Sequence, residues 1–263
     1  MKLVAILRIK NAISTLAQCM DRLSDLVDEI IVLDNGSTDG SLEVYSKYSK
    51  IVKILRTVGY HEGRDKVMLL DEAKKKNPDW ILWIDADEVF EKHLDRIEME
   101  KYMRRDLNMV NFRMCNFWLD KKHCRFDREW FLYSLRPQRQ MWRNVPSAYF
   151  QNIKVHNGGI KGVSERNWTS PYRLKHYGYA DKDEVIKKWN LYIKEDTQSG
   201  KNYDRLNPHI KSLRYPFWEF KNKRTNLLFA YLFKTICSTL LVVTKFKRRN
   251  IRGVRIFPEY PIR

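Results

Sequence analysis

Two stretches of the sequence decide the fold: VDEIIVLDNGSTDGS at residues 27–41 and PDWILWIDADEVFE at residues 78–91. Each contains a short, mostly apolar run, EIIVL at 29–33 and WILWI at 80–84, and an aspartate follows each run directly. Continuous apolar runs of this length are typical of parallel strands that helices cover on both faces. The two stretches therefore predict two buried strands of a parallel sheet, each ending in a polar turn.

Strand and helix patterns alternate around these stretches, which is typical of an open, mostly parallel α/β sheet flanked by helices. Further strands are predicted at residues 3–7, 51–55 and 109–114. Helices are predicted at 14–26, from Ser37 or Thr38 through Tyr48, and at 63–76, about 91–105 and 183–195. The segment 115–180 is rich in aromatic residues, and we expect it to be irregular.

The composition excludes several classes of protein. The 263 residues include 43% hydrophobic residues and only 10 Gly and 8 Pro, which excludes a disordered chain and a collagen-like repeat. The net charge of +18 is uneven, at −2 for residues 1–110 and +20 for residues 111–263. The four cysteines form no CxxC pair, which indicates reduced thiols in a cytoplasmic protein. The basic rear half predicts contact with an anionic surface, either nucleic acid or lipid.

Polar residues collect at three predicted strand ends: RIK at 8–10, Asp34, and Asp85 with Asp87. In a parallel sheet the carboxyl ends of the strands share one edge, so these residues are expected to line one crevice. Two carboxylates spaced i, i+2 after a buried strand repel one another unless a cation lies between them. A divalent cation with bound phosphates suits such a pair, whereas the alternative is a simple turn that leads into a helix.

Three segments together resemble family 2 glycosyltransferases, which have the Rossmann-like GT-A fold: VAILRIKNA at 4–12 and the two stretches quoted first. The resemblance is specific over the first third of the chain and weaker beyond about residue 110. It implies a nucleotide-sugar donor, most simply a UDP-sugar, a saccharide or lipid-linked glycan acceptor, and Mn²⁺ or Mg²⁺. It also implies a donor-binding half at 1–110, an acceptor-side half of the same catalytic domain at 111–205, and a basic helical C-terminal extension at 206–263.

The resemblance also implies roles for individual residues. Asp34 would accept the ring N–H of the donor base, and Asp85 would lie near ribose and sugar and also belong to the metal site. Asp87 would bind the metal, and His176, in RLKHYGYADKDE at 173–184, would approach it. The other residues expected to contact the donor are Arg8, Ile9, Lys10, Asn35, Gly63, Arg64 and Lys66. Arg64 has two alternative interpretations: it contacts the diphosphate, or it is a solvated residue on a helix.

An inverting transfer needs a carboxylate that takes the proton of the acceptor hydroxyl. Four acidic residues after the DxD motif, Asp85-Ala86-Asp87, are candidates: Asp120, Asp127, Glu129 and Glu165. We favour Asp127 because Arg125 and Trp130 flank it in HCRFDREWF at 123–131. Some relatives have His-Glu where this chain has HN at 156–157, which removes one possible base.

The basic tail contains an apolar stretch at residues 227–243, interrupted by Lys234 and flanked by basic residues. We expect a helix that lies in the headgroup region of an anionic membrane at the cytoplasmic face, although a helix packed on the protein and a true span are alternatives.

Two alternative functions are also open. One is a nucleotidyltransferase, although the Gly-rich loop that usually follows the first strand of such enzymes is missing, since RIKNAIS at 8–14 contains no Gly. The other is a basic protein that binds nucleic acid or membrane without catalysis. We expect no nucleic-acid partner, since the sequence contains no zinc-ligand spacing or helix-turn-helix pattern.

Overall fold

The computed structural model describes residues 1–125, 137–155 and 158–195, and the backbone of 214–216. The strands are β1 Leu3–Ile9, β2 Glu29–Asp34, β3 Ile51–Arg56, β4 Trp80–Asp85, β5 Glu88–Phe90, β6 Met109–Asn116, β7 His123–Arg125, β8 Pro137–Arg143, β9 Asn167–His176 and β10 Arg214–Pro216. The helices are α1 Ile13–Leu26, α2 Ser41–Tyr45, α3 Glu62–Lys75, α4 Arg96–Met103 and α5 Lys182–Glu195. The contacts within the chain define Met1–Glu219 as one compact unit. Residues 217–263, which include most of the predicted tail, lie outside the described part.

Eight of the strands form one sheet in the order β3-β2-β1-β4-β8-β6-β9-β5. The strands from β3 to β4 are parallel, as the α/β pattern predicts, and β6 and β9 are also parallel. Antiparallel pairing joins β8 to β4 and to β6, and β5 to β9. The fold is therefore an α/β, Rossmann-like sheet with a mixed second half, and the domain boundary predicted at residue 110 falls inside β6.

The alternation of side chains along β1 explains why the sheet is covered on both faces. Leu3, Ala5 and Leu7 belong to a core cluster with the apolar stripe of α1. Val4 and Ile6 point to the opposite face, into a second cluster with the apolar residues of α3. All five side chains are fully buried, so the prediction of a strand covered on both faces is confirmed.

Three predictions of secondary structure are wrong. The segment 115–180 is not irregular throughout, because it supplies β8 and β9 to the main sheet. In β9, Pro171 lies where three residues of β9 oppose one residue of β6, and a proline in such a bulge conceals the strand pattern. The helix predicted from about Glu91 begins only at Arg96, because residues 88–90 pair with β9 and Asp95 caps the helix. The helix predicted from Ser37 or Thr38 through Tyr48 is shorter at both ends, because α2 begins after Gly40 and ends at Tyr45.

Within the described ranges, the helices are all too short or too polar to cross a membrane. The predicted tail stretch at 227–243 lies outside those ranges.

Candidate functional site

The register of the parallel strands brings the predicted site residues to one edge of the sheet. Arg8 of β1 is opposite Asp85 of β4, and Ile9 is opposite Asp34 of β2. The side chain of Lys10, just beyond β1, donates a hydrogen bond to the carbonyl of Gly36 at 2.6 Å. The crevice expected from the sequence is therefore formed by the ends of β1, β2 and β4.

The carboxylate of Asp34 is held inside the loop that follows β2. Its Oδ1 accepts a hydrogen bond from the backbone N–H of Ser37 at 2.7 Å, and its Oδ2 accepts one from the Tyr45 hydroxyl at 2.9 Å. Burial and the hydrogen bond to Asp34 raise the pKa of Tyr45 to about 12. Because a carboxylate has about four acceptor positions, Asp34 can still accept a further N–H.

Asp65 of α3 joins four residues of the crevice, and sequence reasoning did not identify it. Its side chain is fully buried and pairs with Arg8 through Nε at 3.0 Å and with Arg64 at 2.8 Å. It also accepts hydrogen bonds from Thr57 and from Asn35, at 3.1 and 3.3 Å. An acidic residue in a helix gives no sequence signal of this role, because three of its four partners come from other segments of the chain.

Arg64 also donates to the backbone carbonyls of Val58 and Gly59. Its side chain therefore secures the loop after β3 while it stays 34% exposed, so both alternatives left open by the sequence remain. Contact between Arg64 and a diphosphate stays a prediction.

Lys66 and Gly63, two other residues predicted to flank the donor, are both buried on α3. The Lys66 ammonium pairs with Glu62 at 2.6 Å and lies 4.7 Å from the centre of the Trp83 ring. A Cβ on Gly63 would lie 2.3 Å from the backbone nitrogen of Ile153. Close backbone packing therefore explains this glycine without a donor, and its predicted donor contact is untested.

Asp85 and Glu88 form an acidic pair at the end of β4. Glu88 is buried, and its Oε2 accepts hydrogen bonds from the Asp85 backbone N–H and from Gln140. Burial and the Asp87 carboxylate raise the pKa of Asp85, and burial and Asp85 raise that of Glu88. Within the described ranges, no side chain donates a hydrogen bond to the Asp85 carboxylate, so it can accept from a ligand.

Asp87 lies between His176 of β9 and Lys188 of α5. The Lys188 ammonium is 2.7 Å from Asp87 Oδ2, and His176 Nε2 is 3.5 Å from Oδ1. Burial alone would raise the pKa of Asp87, but the Lys188 ammonium and the His176 ring hold it well below its usual range. Burial likewise opposes the charge on Lys188, but Asp87 raises its pKa above the usual value. Both groups therefore stay charged near neutral pH.

The predicted proximity of His176 to the DxD motif is found. Its Nδ1 lies 2.6 Å from Asn116 Oδ1, which can accept the Nδ1–H proton and orient the ring. Asn116 was not identified from the sequence, and neither was Lys188. Lys188 did give a signal, because it lies three residues after the buried Val185 on the inner face of α5.

These residues fit a divalent cation that is bound together with phosphates. Asp87 Oδ1 and His176 Nε2 lie 3.5 Å apart, which is about 0.5 Å more than the separation of two adjacent octahedral ligands at about 2.1 Å from one ion. No group of three or more His, Cys, Asp or Glu side chains that could hold a metal occurs in the part of the chain that the structure describes. Mg²⁺-like ions commonly use one or two carboxylates and complete their coordination with water and substrate phosphates, so two protein ligands suffice.

The candidates for the general base differ in their surroundings. Asp120 accepts hydrogen bonds from the backbone N–H groups of Lys122 and His123, both at 2.7 Å, and lies 2.8 Å from His123 Nδ1. Glu165 is exposed and pairs with Arg139 at 2.6 Å. Asp127 and Glu129, and the HN dipeptide at 156–157, lie outside the described residues, so the role predicted for Asp127 is untested.

Comparison with known proteins agrees with the sequence resemblance. The family model described as Glycosyl transferase family 2 matches residues 5–152, which is more than half of the chain. The chain belongs to glycosyl transferase family 2. This confirms the family that the sequence resemblance indicated.

Among curated relatives, an uncharacterized protein of Mycobacterium tuberculosis is 29% identical over 222 residues, which cover 78% of this chain and 54% of the relative. An uncharacterized glycosyltransferase of Rickettsia felis is 34% identical over 98 residues, which cover 37% of this chain and 33% of the relative. The chain thus spans about half the length of the mycobacterial relative that it matches.

Two solved structures are also similar. S. aureus TarS 1–349 in complex with UDP has a TM-score of 0.49 at 14% identity, with coverage of 79% of this chain and 69% of that one. Glucosyl-3-phosphoglycerate synthase from Mycobacterium tuberculosis, in complex with Mn²⁺, UDP and phosphoglyceric acid, has a TM-score of 0.33 at 19% identity. That match covers 44% of this chain and 43% of the synthase.

Proposed function

We propose that the protein transfers a sugar from a nucleotide-sugar, with a UDP-sugar as the first candidate, to a saccharide or lipid-linked glycan acceptor. The observation that carries this proposal is the register that sets Arg8 opposite Asp85 and Ile9 opposite Asp34 at one sheet edge. This register supports a crevice in which Asp34 would accept from the base and the residues after β4 would bind the metal. In open α/β sheets ligands bind in such a crevice, outside the carboxyl ends of the strands.

The donor half of the site would work through the residues around Asp34. Asp34 accepts the ring N–H of the base, while the backbone of residues 8–10 lines the same pocket. Asn35 and Arg8 are held by Asp65, so the pocket is arranged before the donor arrives. Such preorganisation lowers the entropy that donor binding costs.

Asp87 and His176 would hold Mn²⁺ or Mg²⁺, with Asp85 beside them. When bound, the ion acts as a Lewis acid that offsets the charge on the departing nucleoside diphosphate. Lys66 and Arg64 add positive charge on α3 close to the same edge, since Lys66 acts electrostatically on Asp85. The three carboxylates of the crevice thus lie among cations supplied by the chain itself.

We propose that the transfer inverts the anomeric centre. The acceptor hydroxyl attacks the anomeric carbon, its proton passes to a carboxylate, and the glycosidic oxygen leaves with the bonding electron pair on the diphosphate. Asp127 remains the first candidate for that carboxylate. Asp120 is the second, although two backbone N–H groups and His123 already occupy its oxygens.

We further propose that the protein works at the cytoplasmic face of a membrane. The net charge of +20 over residues 111–263 and the apolar stretch at 227–243 support this location. Each basic residue near an anionic bilayer contributes about 1 kcal/mol. Removal of residues 221–263 should release the protein from anionic liposomes at low salt, and unchanged binding would reject this role for the tail.

The function itself is tested by release of nucleoside diphosphate from a panel of nucleotide-sugars with Mn²⁺. We expect Asp87→Asn to lower the rate by about 100-fold or more. The matched control is Asp25→Asn, which changes an exposed aspartate that pairs with Arg22 on α1. Full activity in a folded Asp87→Asn protein would reject the metal role of Asp87.

A further inference from the structure

Lys188 is the basic residue of α5 that reaches the DxD motif. It lies three residues after the buried Val185, whereas its neighbour Lys187 points away and pairs with the exposed Glu184 at 2.6 Å. The Lys188 side chain is 27% exposed, and its ammonium lies 5.1 Å from the centre of the Tyr179 ring. A helix distant in sequence thus supplies a cation to the predicted metal ligand.

The packing around this contact is tight because residue 178 has no side chain. A Cβ there would lie 2.3 Å from Lys188 Nζ, 2.4 Å from Asp87 Oδ2 and 2.7 Å from His176 Nε2. These three groups therefore converge at one point beside Gly178. Space for a further cation on Asp87 Oδ2 is taken by the lysine.

The charges at this point oppose a free divalent ion. Lys188 neutralises Asp87, and a second cation on the same carboxylate would be repelled by the ammonium at close range. A diphosphate changes this balance, because its oxygens can accept from the ammonium while they also bind the metal. Lys188 could then leave Asp87 for the phosphates without losing its partner.

We propose that Lys188 is the resident counter-ion of Asp87 in the donor-free protein and moves to the diphosphate when donor and metal bind together. Lys188 is then a diphosphate-binding residue, and metal and nucleotide each increase the affinity for the other. The identity of the ligand rests on the proposed function, whereas the competition between Lys188 and a divalent ion rests only on the contacts around Asp87.

The test measures Mn²⁺ binding to the full chain by titration calorimetry without nucleotide. We expect Lys188→Met to bind Mn²⁺ more tightly than the unmodified protein, by a factor of about 5 to 150. Lys187→Met removes the same charge from the same helix and should change Mn²⁺ affinity less than about twofold. Unchanged or weaker Mn²⁺ binding by Lys188→Met would overturn the proposal.

Two further measurements keep the outcome interpretable. Lys188→Arg retains the positive charge and should bind free Mn²⁺ as weakly as the unmodified protein, so tight binding by this variant would also overturn the proposal. Binding of UDP in the presence of saturating Mn²⁺ should weaken in Lys188→Met and not in Lys187→Met, and equal binding by both would reject the phosphate contact. If the unmodified protein binds no nucleoside diphosphate even with Mn²⁺, the proposed function fails, while the Mn²⁺ titration still decides the role of Lys188.

Discussion

The guanidinium Nε of Arg8, near the end of β1, lies 3.0 Å from Oδ2 of Asp65 in α3, and the Asp65 side chain is fully buried. This contact ties the central strand of the crevice to the helix that flanks it. Arg64, Thr57 and Asn35 complete the set of groups around the same carboxylate. Asp65 is therefore the residue on which the geometry of the donor side most depends.

Replacement of Asp65 by asparagine should destabilise the protein by about 3 kcal/mol, because it leaves the guanidinium of Arg8 without its buried partner. Urea unfolding measures this loss. Asp71→Asn, at an exposed position of the same helix, should cost less than about 0.5 kcal/mol. If Asp65→Asn costs less than about 1 kcal/mol, the pair behaves as a surface ion pair and the account of Asp65 is wrong.

Replacement of Gly178 by alanine should impair the site and spare the fold. The added Cβ would meet the ends of the Lys188, Asp87 and His176 side chains, which can move apart without disturbing the backbone. We expect stability within about 1 kcal/mol of the original and affinity for UDP with Mn²⁺ lowered at least about tenfold. Calorimetric titration measures the affinity.

Gly159→Ala is the control for this change, since its Cβ would be 3.6 Å from Arg139, an ordinary contact. Undiminished binding of UDP and Mn²⁺ by Gly178→Ala would show that the three groups do not act together on the ligand.

Replacement of Gly63 by alanine should have the opposite pattern. Here the Cβ would lie 2.3 to 2.6 Å from backbone atoms of Gln151 and Ile153, and a backbone cannot move aside as a side chain does. We expect a loss of about 2 kcal/mol, measured by urea unfolding. Normal stability with lost donor binding would instead support the donor contact predicted for Gly63 from the sequence.

Asp39 should make the stability of the loop after β2 dependent on pH. Burial alone would raise its pKa, but hydrogen bonds from the Ser41 hydroxyl and from the backbone N–H groups of Ile13 and Ser41 lower it. A carboxyl group whose pKa is lowered by folding stabilises the protein above its unfolded pKa, about 3.9. That contribution is lost as the pH falls through the lowered pKa of the folded state.

Asp39→Asn should therefore melt at a lower temperature than the original protein at pH 7, and the difference should shrink as the pH falls below about 4. Melting temperatures at a series of pH values measure this. A difference that stays constant down to pH 3 would mean that the charge on Asp39 contributes nothing.

Local patterns predict the parallel part of the sheet, in which strands with continuous apolar runs alternate with helices. β2, β1 and β4 lie next to each other there, and the aspartates that end β2 and β4 were sufficient to place Asp34 and Asp85 at one edge. The strands that were missed have weaker patterns. β8, PQRQMWR, has no continuous apolar run, and the proline in β9 hides its strand pattern.

The same distinction holds for the site. Asp87 was predicted because its neighbours in the sequence mark a strand end, and His176 because its surrounding residues resemble a family motif. Lys188 contacts a residue 101 positions away, and three of the four partners of Asp65 lie outside α3. The spacing of Lys188 from Val185 indicates the face of α5 on which it lies, but no local pattern identifies the residue that either side chain contacts.

The central claim is that the crevice binds a nucleotide-sugar together with a divalent ion. Thermal unfolding of the unmodified protein with UDP-, GDP-, dTDP- and CMP-sugars, each with and without Mn²⁺, tests it most directly, because a ligand that binds the native state raises the melting temperature. We predict that one class of donor, UDP-sugars first, raises the melting temperature in the presence of Mn²⁺ and that Asp87→Asn abolishes this rise. No rise with any of the four classes, at millimolar donor and Mn²⁺, would contradict the account.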